Sequence, residues 1–396
     1  MIRPVQKDLY AVIGNPVDHS LSPVMMNAVF EALKIPAVYL ALQVDGLAED
    51  LTILAKLGVR GLSVTIPHKE SAYRLAVNVD EPSQAMGAVN TLRLQGTRWE
   101  GRNTDWIGAI TALRCDINRI EPRGRSITPP ASHADSPWQV DTHAHHSSAF
   151  SVHKSEIRNP KSEIPPITHH SSASSVPKSA IRNPQSAIPP ITHHCFTDKH
   201  ALIIGAGGVA RAVVYGLKRE GAAITVSNRG IERGEALARA FDCDFVPLSE
   251  LPHAKSKAAF DIIVQCTSVG LMDKEDLARI PDSLLLKNQD PRGKSQSPIA
   301  KSQQLRANTQ EPTATSTLLS DALFHPGTVV MDTVYRPLWT PFLRKAQAAG
   351  CIVISGVEML LHQGVAQLQW WFGELIQPEV VLPIMRKALM GILEDE

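Results

Sequence analysis

Short apolar runs alternate with longer amphipathic stretches through the first part of the chain. Leu9-Tyr10-Ala11-Val12-Ile13-Gly14 is apolar, brief and ended by glycine, the pattern of a buried strand. Ser22-Pro23 then places serine at a helix N-cap and proline at the first helical position. Met25, Met26, Ala28, Val29, Ala32 and Leu33 form the apolar face of that helix. Residues 38–42 predict a second strand, 47–57 a second helix and 61–66 a third strand. Strands joined by helices of this length need right-handed crossovers, so the sheet is mostly parallel. Farther on, 201–204, 223–226, 261–267 and 329–332 are strands, and a helix begins near Gly356. The fold class is α/β with two domains: 1–113, completed by C-terminal helices 356–396, and 199–355.

Between these units the pattern stops. From Asn118 to Thr197 the chain is rich in Ser, Pro and His, and it repeats itself. His145-His146-Ser147-Ser148-Ala149 returns 24 residues later as His169-His170-Ser171-Ser172-Ala173, and Ile157-Arg158-Asn159-Pro160 returns as Ile181-Arg182-Asn183-Pro184. Each copy has too few apolar residues to bury a shared face, so 118–197 reads as a duplicated, disordered insertion and not a solenoid. Residues 287–316, rich in Gln, Lys, Ser and Thr, read as a lengthened surface loop. Loop closure costs only about 0.6 kcal/mol per doubling of length, so a core can carry both insertions.

Composition narrows the function. The 396 residues carry a formal net charge of +1, which leaves no electrostatic footprint for nucleic acid. No apolar run approaches the roughly 18 residues of a membrane span, and the N-terminus lacks a secretory hydrophobic stretch. Five scattered cysteines, at 115, 195, 243, 266 and 351, suit reduced thiols in a cytoplasm. The His-His pairs of the insertion are poor metal-ligand geometry, and no metal site is expected.

Chemistry concentrates in four strings: Ser20-Leu21-Ser22-Pro23, Thr65-Ile66-Pro67-His68-Lys69, Gly87-Ala88-Val89-Asn90-Thr91 and Asn103-Thr104-Asp105. They supply hydroxyls (Ser20, Ser22, Thr65), an amide (Asn90), a cation (Lys69) and a carboxylate (Asp105), an inventory for a small polyol that bears a carboxylate. Taken singly, Lys69 reads as a surface lysine, Asp105 or Ser22 as a helix cap and Asn90 as a turn residue. Thr104 is an alternative cap that leaves Asp105 to the cleft. Downstream, strand 201–204 enters Gly205-Ala206-Gly207-Gly208-Val209-Ala210 and then a helix, the dinucleotide-binding fingerprint with alanine in its third place. Its first turn offers backbone N–H groups to a pyrophosphate. At the tip of the next strand stand Ser227-Asn228-Arg229 and then Arg233, with no acid, which favours the 2′-phosphate of NADP over the ribose diol of NAD. A polyol pocket beside a dinucleotide site suits an alcohol/ketone oxidoreductase.

In order, S-x-S-P, T-x-P-x-K, G-A-x-N-T, N-T-D, the glycine-rich turn, N-R-x-x-x-R and the late Gly356-x-x-Met359-Leu360-x-x-Gln363 resemble the shikimate dehydrogenase family, across 5–115 and 199–395. That resemblance implies NADP-dependent reduction of 3-dehydroshikimate to shikimate, in a cleft between a substrate domain and a Rossmann domain. It makes Lys69 the proton donor, since carbonyl reduction needs a proton as hydride arrives, and Asp105 the group that orients it. It implies substrate binding by Ser20, Ser22, Thr65, Lys69, Asn90, Asp105, Tyr335 and Gln363. Residues 205–210, Asn228, Arg229, Arg233, Thr267, Gly356 and Met359 become the cofactor set, the last two on the nicotinamide side. His19 and His68 adjoin the site but do not stand where the family has its donor. Many members carry asparagine where this chain has Ser63, a shorter hydrogen-bonding group. A quinate/shikimate dehydrogenase and a non-catalytic metabolite-sensing regulator are the alternative readings, and a homodimer is left open.

Overall fold

The first sheet has five strands in the order β2-β1-β3-β4-β5. In the computed structural model, which describes residues 7–120, 195–251, 260–269 and 323–394, β1 (Asp8–Gly14), β2 (Ala37–Gln43) and β3 (Val59–Val64) run parallel. β4 (Thr91–Gln95) and β5 (Arg98–Arg102) form an antiparallel hairpin on the β3 side. The crossovers are α1 (Ser22–Ala32) and α2 (Leu47–Lys56), and two short helices, α3 (Lys69–Leu75) and α4 (Glu81–Met86), lead to the hairpin. β3 stops at Val64, earlier than the sequence pattern suggests. The Thr65 N–H still donates to Ile13 O and Ile66 O still accepts the Asn15 N–H, but the His68 N–H donates to Thr65 O at 3.0 Å, closing a turn that ends the strand.

Ser22 is not the helix cap expected of it. Leu21 holds that position with helical backbone angles, and Ser22 is the first helical residue, buried at 6% exposure. The Ser20 hydroxyl accepts the Ser22 N–H at 3.3 Å, so the local turn is closed one residue earlier.

A second sheet of six strands, all parallel, has the order β11-β10-β9-β6-β7-β8. Its strands are β6 (His200–Ile204), β7 (Ala223–Asn228), β8 (Asp244–Pro247), β9 (Ile262–Gln265), β10 (Val329–Asp332) and β11 (Ile352–Ile354). Helices α6 (Gly208–Arg219), α7 (Ile231–Phe241) and α8 (Pro341–Ala348) belong to this lobe. β6 shows why the strands read as unbroken apolar runs: Ala201 and Ile203 enter the core on one face, Leu202 and Ile204 the core on the other. The strand order reverses between β6 and β9, and in doubly wound sheets ligands bind in the crevice at the carboxyl ends of the strands at such a point.

Helix α5 (Asp105–Ile120) links the lobes, packing on α6 and on α9 (Gly356–Phe372). Gly108 makes the second contact close: a Cβ there would lie 2.6 Å from Met359 O. α9 and α10 (Pro378–Leu393) return to the first lobe, where Leu361, Leu368, Met385 and Leu389 meet Met25, Met26 and Tyr39. α5 runs past the expected start of the insertion, and Phe196 is fully buried, its N–H donating to Glu220 O. The insertion bounds 118–197 are therefore too wide at both ends. Its remainder and the loop 287–316 lie outside the described residues.

Asp332 ends β10 fully buried, its Oδ1 accepting the Val334 N–H at 3.0 Å and its Oδ2 the Thr340 hydroxyl at 2.7 Å. Burial pushes its carboxyl up to about 6, against those two bonds. The folded chain thus holds a proton that the unfolded chain has released between pH ~4 and ~6, so this group's contribution falls as pH rises through that window, by about 3 kcal/mol in all. In Asp332→Asn an amide replaces the group. The melting temperature of the parent should gain on that of the variant as pH drops from about 7.5 to about 5.5. A gap that does not change with pH would overturn this assignment.

Candidate active site

Lys69 is the first residue of α3, and its carbonyl accepts the Val89 N–H, which ties the turn to the strand-entry segment 87–90. Its Nζ donates to Asp105 Oδ2 at 2.6 Å, with the side chains only 13% and 6% exposed. Asp105 opens α5 and is held from behind: its N–H donates to Asn103 Oδ1, and Asn103 Nδ2 donates to Ala88 O. The first helical bond, Gly108 N–H to Thr104 O, puts Thr104 at the cap position. Asp105 is thus free of capping, as the alternative reading of the sequence allowed.

Asn90 is the hub of the site. Its Nδ2 lies 2.8 Å from Asp105 Oδ1, 3.1 Å from Thr104 Oγ1 and 3.2 Å from Gln363 Oε1. Its Oδ1 accepts the Thr104 N–H at 2.7 Å and the Thr91 hydroxyl at 2.8 Å. Each oxygen of Asp105 therefore has its own donor, Lys69 on one and Asn90 on the other. Gln363, from α9, is brought into the cluster and donates to Leu360 O. Charged donors and acceptors make shorter and stronger bonds than neutral ones, so the lysine and carboxylate hold each other in a fixed orientation.

Ser20 and Tyr335 meet, although far apart in the chain. The Tyr335 hydroxyl bonds the Ser20 side chain and the Leu21 backbone, and burial pushes the phenol up. Ser22 is buried beside them and Thr65 half-buried at the end of β3. His68 is buried with Nε2 2.7 Å from Val44 O, and burial, followed by the Arg336 cation, pulls the His19 imidazole down. Ser63 is not an open pocket wall. The Tyr39 hydroxyl donates to Ser63 Oγ at 2.5 Å, which donates to Gln367 Oε1 at 2.8 Å.

In the second lobe Gly205 takes φ +116°, a conformation that favours glycine, and its N–H donates to Ser227 O at 2.8 Å. Gly207 caps α6 with no side-chain bond, and a Cβ built there meets nothing within 4 Å. The first-turn N–H groups of α6 thus meet the chemical needs of a pyrophosphate. Ala206 and Ala210 are buried, and Gly208 and Val209 partly so. A Cβ on Gly208 would lie 3.3 Å from Lys69 Cδ, so the glycine-rich turn and Lys69 face each other directly.

The remaining expected cofactor residues differ in character. Asn228 Nδ2 donates to Gly230 O at 2.8 Å, and Arg229 is exposed at the β7 tip. Arg233 is exposed but engaged, its Nε donating to Ala206 O at 3.1 Å and its Nη2 lying 3.5 Å from Glu70 Oε1. The N–H and hydroxyl of Thr267 both donate to Gln265 Oε1, closing the turn after β9. Met359 is buried in the core with Trp106 and Ile354, and Gly356 packs so closely on the backbone that a Cβ would lie 2.6 Å from Val334 O. Asn103, Glu70 and Gln367 were missed as contributors. Only Asn103, inside the Asn-Thr-Asp string, carried a signal in the sequence.

Comparison with known proteins places the chain in a family. Residues 12–92 match the model of the shikimate dehydrogenase substrate binding domain, and 190–283 that of shikimate / quinate 5-dehydrogenase. The curated shikimate dehydrogenase (NADP(+)) of Syntrophobacter fumaroxidans is 40% identical over 396 residues, 100% of this chain and 98% of that protein. The crystal structure of shikimate dehydrogenase from Aquifex aeolicus is similar with a TM-score of 0.60 and 26% identity, covering 98% of this chain and 99% of that one. Shikimate 5-dehydrogenase from Thermus thermophilus, solved with NADP(H) and shikimate, is similar with a TM-score of 0.59 and 26% identity, covering 96% and 99%. Full-length identity of this order, joined to two family models matched in sequence order, means that the chain belongs to the shikimate dehydrogenase family.

Proposed function

We propose that the protein is an NADP-dependent shikimate dehydrogenase, reversibly reducing 3-dehydroshikimate to shikimate on the route to the aromatic amino acids. The observation that carries this reading is the Lys69–Asp105 pair, 2.6 Å apart and set against Gly208 of the dinucleotide turn. The turn fits the cofactor: Gly205 makes the bend, Gly207 leaves open space, and α6 offers uncapped N–H groups. Arg229 and Arg233, with no acid at the strand tip, suit a 2′-phosphate. Asn228 and Thr267 border the same crevice, and Gly356 and Met359 stand on its nicotinamide side. NADPH, when bound, supplies the hydride that the ketone carbon accepts.

Lys69 Nζ gives its proton to the ketone oxygen, which becomes the new hydroxyl, and takes it back in the oxidative direction. Asp105 orients Lys69 and accepts a hydrogen bond from a substrate hydroxyl. Asn90, Gln363 and Thr65 complete the hydroxyl side, and Ser20, Ser22 and Tyr335 bind the substrate carboxylate. The first lobe with α9 and α10 is the substrate domain and the second lobe the cofactor domain. An intact proton donor argues against a purely sensory role. Oxidation of shikimate and quinate, assayed side by side with NADP+, separates this reading from a quinate/shikimate dehydrogenase.

A cytoplasmic location belongs to the same reading. No helix among the described residues is long and apolar enough to cross a membrane. Sedimentation equilibrium reads directly whether two chains pair.

Replacing Lys69 by alanine should cut turnover by about 10²–10⁴-fold while shikimate affinity stays within about tenfold, since a positioned proton donor acts mainly on the chemical step. Steady-state kinetics beside calorimetric binding would show it, and near-normal turnover would remove Lys69 from its role. The double replacement Arg229→Ala with Arg233→Ala should raise KM for NADP+ much more than for NAD+, which lacks the 2′-phosphate. Equal weakening of both cofactors would return these arginines to a structural role.

A further inference from the structure

Arg233 is the one residue of the expected 2′-phosphate pair that already has an anionic partner. Its Nε is tied to Ala206 O in the glycine-rich turn, and its Nη2 reaches across the cleft to Glu70 Oε1 at 3.5 Å. Arg229, by contrast, is exposed with no hydrogen bond or ion pair among the described residues. Glu70 follows Lys69 in the first turn of α3, so the two residues that this helix sends toward the second lobe are neighbours in the chain.

We propose that Glu70 competes with the cofactor 2′-phosphate for Arg233, and so sets how strongly the enzyme discriminates NADP from NAD. The inference rests on the cofactor reading above. A phosphate on this guanidinium either displaces the Glu70 carboxylate or shares the cation with it as a like charge. NAD has no group at that position and leaves the ion pair as it is. With side chains 44% and 64% exposed, the pair is weak and salt-sensitive. Its influence is therefore a modest change in affinity and not a lock.

Glu70→Gln removes the charge while keeping the size and helix preference of the side chain. Fluorescence titration should show NADP+ binding about two- to fivefold tighter in the variant, the range that an exposed ion pair commands. NAD+ should bind as in the parent, and the gain should shrink between about 0.02 M and about 0.5 M salt. In an Arg233→Ala background the same replacement should no longer change NADP+ affinity, because the contested cation is gone. Unchanged or weaker NADP+ binding in Glu70→Gln, or a parallel change for NAD+, would overturn the proposal. Where Glu70→Gln fails in either of these ways while Arg233→Ala still weakens NADP+ selectively, the competition alone is overturned and the 2′-phosphate reading stands. If Arg233→Ala weakens both cofactors alike, the 2′-phosphate reading fails and takes the competition with it.

Discussion

A cation and a carboxylate buried side by side constrain everything around them. Taking both charges out of water is costly, and removing one partner of such a pair typically costs about 3–5 kcal/mol, because the other is left uncompensated. Lys69 and Asp105 are therefore tolerated only where the backbone fixes both ends of the pair. Lys69 is fixed through its carbonyl and Val89, Asp105 through Asn103 and the start of α5. Asn90 connects these supports. Its carbonyl accepts the Val64 N–H at the end of β3, its N–H donates to Arg102 O at the end of β5, and its side chain holds Asp105. The end of the first sheet and the start of α5 are thereby locked to one geometry.

The same reasoning explains Ser63. A hydroxyl is a small group with one donor, and burial at 6% exposure requires that it be used. Ser63 donates to Gln367 of α9 and accepts from Tyr39 of β2, stitching the returning helix to the first sheet beside the site. The shorter side chain is committed to that seam, with its hydroxyl used both as donor and as acceptor. Burial raises the Tyr39 phenol and the Ser63 bond opposes it, which keeps the phenol a donor in this chain of bonds.

Parallel strands were legible because both of their faces are covered, which writes them as continuous apolar runs: β6, β9 and β10 could be read directly. β8 and β11 were not, since one is a half-exposed edge strand ending in proline and the other has three residues. The β4–β5 hairpin was also missed. Its Arg93 and Arg102 look solvated in sequence, yet both guanidinium groups lie over the Trp370 ring, at 4.8 and 4.9 Å. In the site, the strings gave the residue types and the order but not the partners. Nothing local reveals that the Asn90 amide is shared among Asp105, Thr104 and Gln363, or that Glu70 reaches Arg233, because those contacts join distant segments.

One short helix joins the two halves of the chemistry. α3 has seven residues, so its first turn is also much of its length, and neighbouring positions on it cannot move independently. Lys69 meets Gly208 and Asp105, while Glu70 meets Arg233. Lys69, with its contacts to Asp105 and Gly208, and Glu70, with its contact to Arg233, are thus carried on one short helix, set by the turn after β3. A displacement of the second lobe that loosens the glycine-rich turn from Lys69 also stretches the Arg233 contact. The two contacts are in this way coupled through one short helix. Of the two contacts, the buried one fixes the position, since its charges cannot be shared with solvent. The exposed one can be exchanged for another anion at small cost, which suits a helix that must keep its place while a charged cofactor enters and leaves.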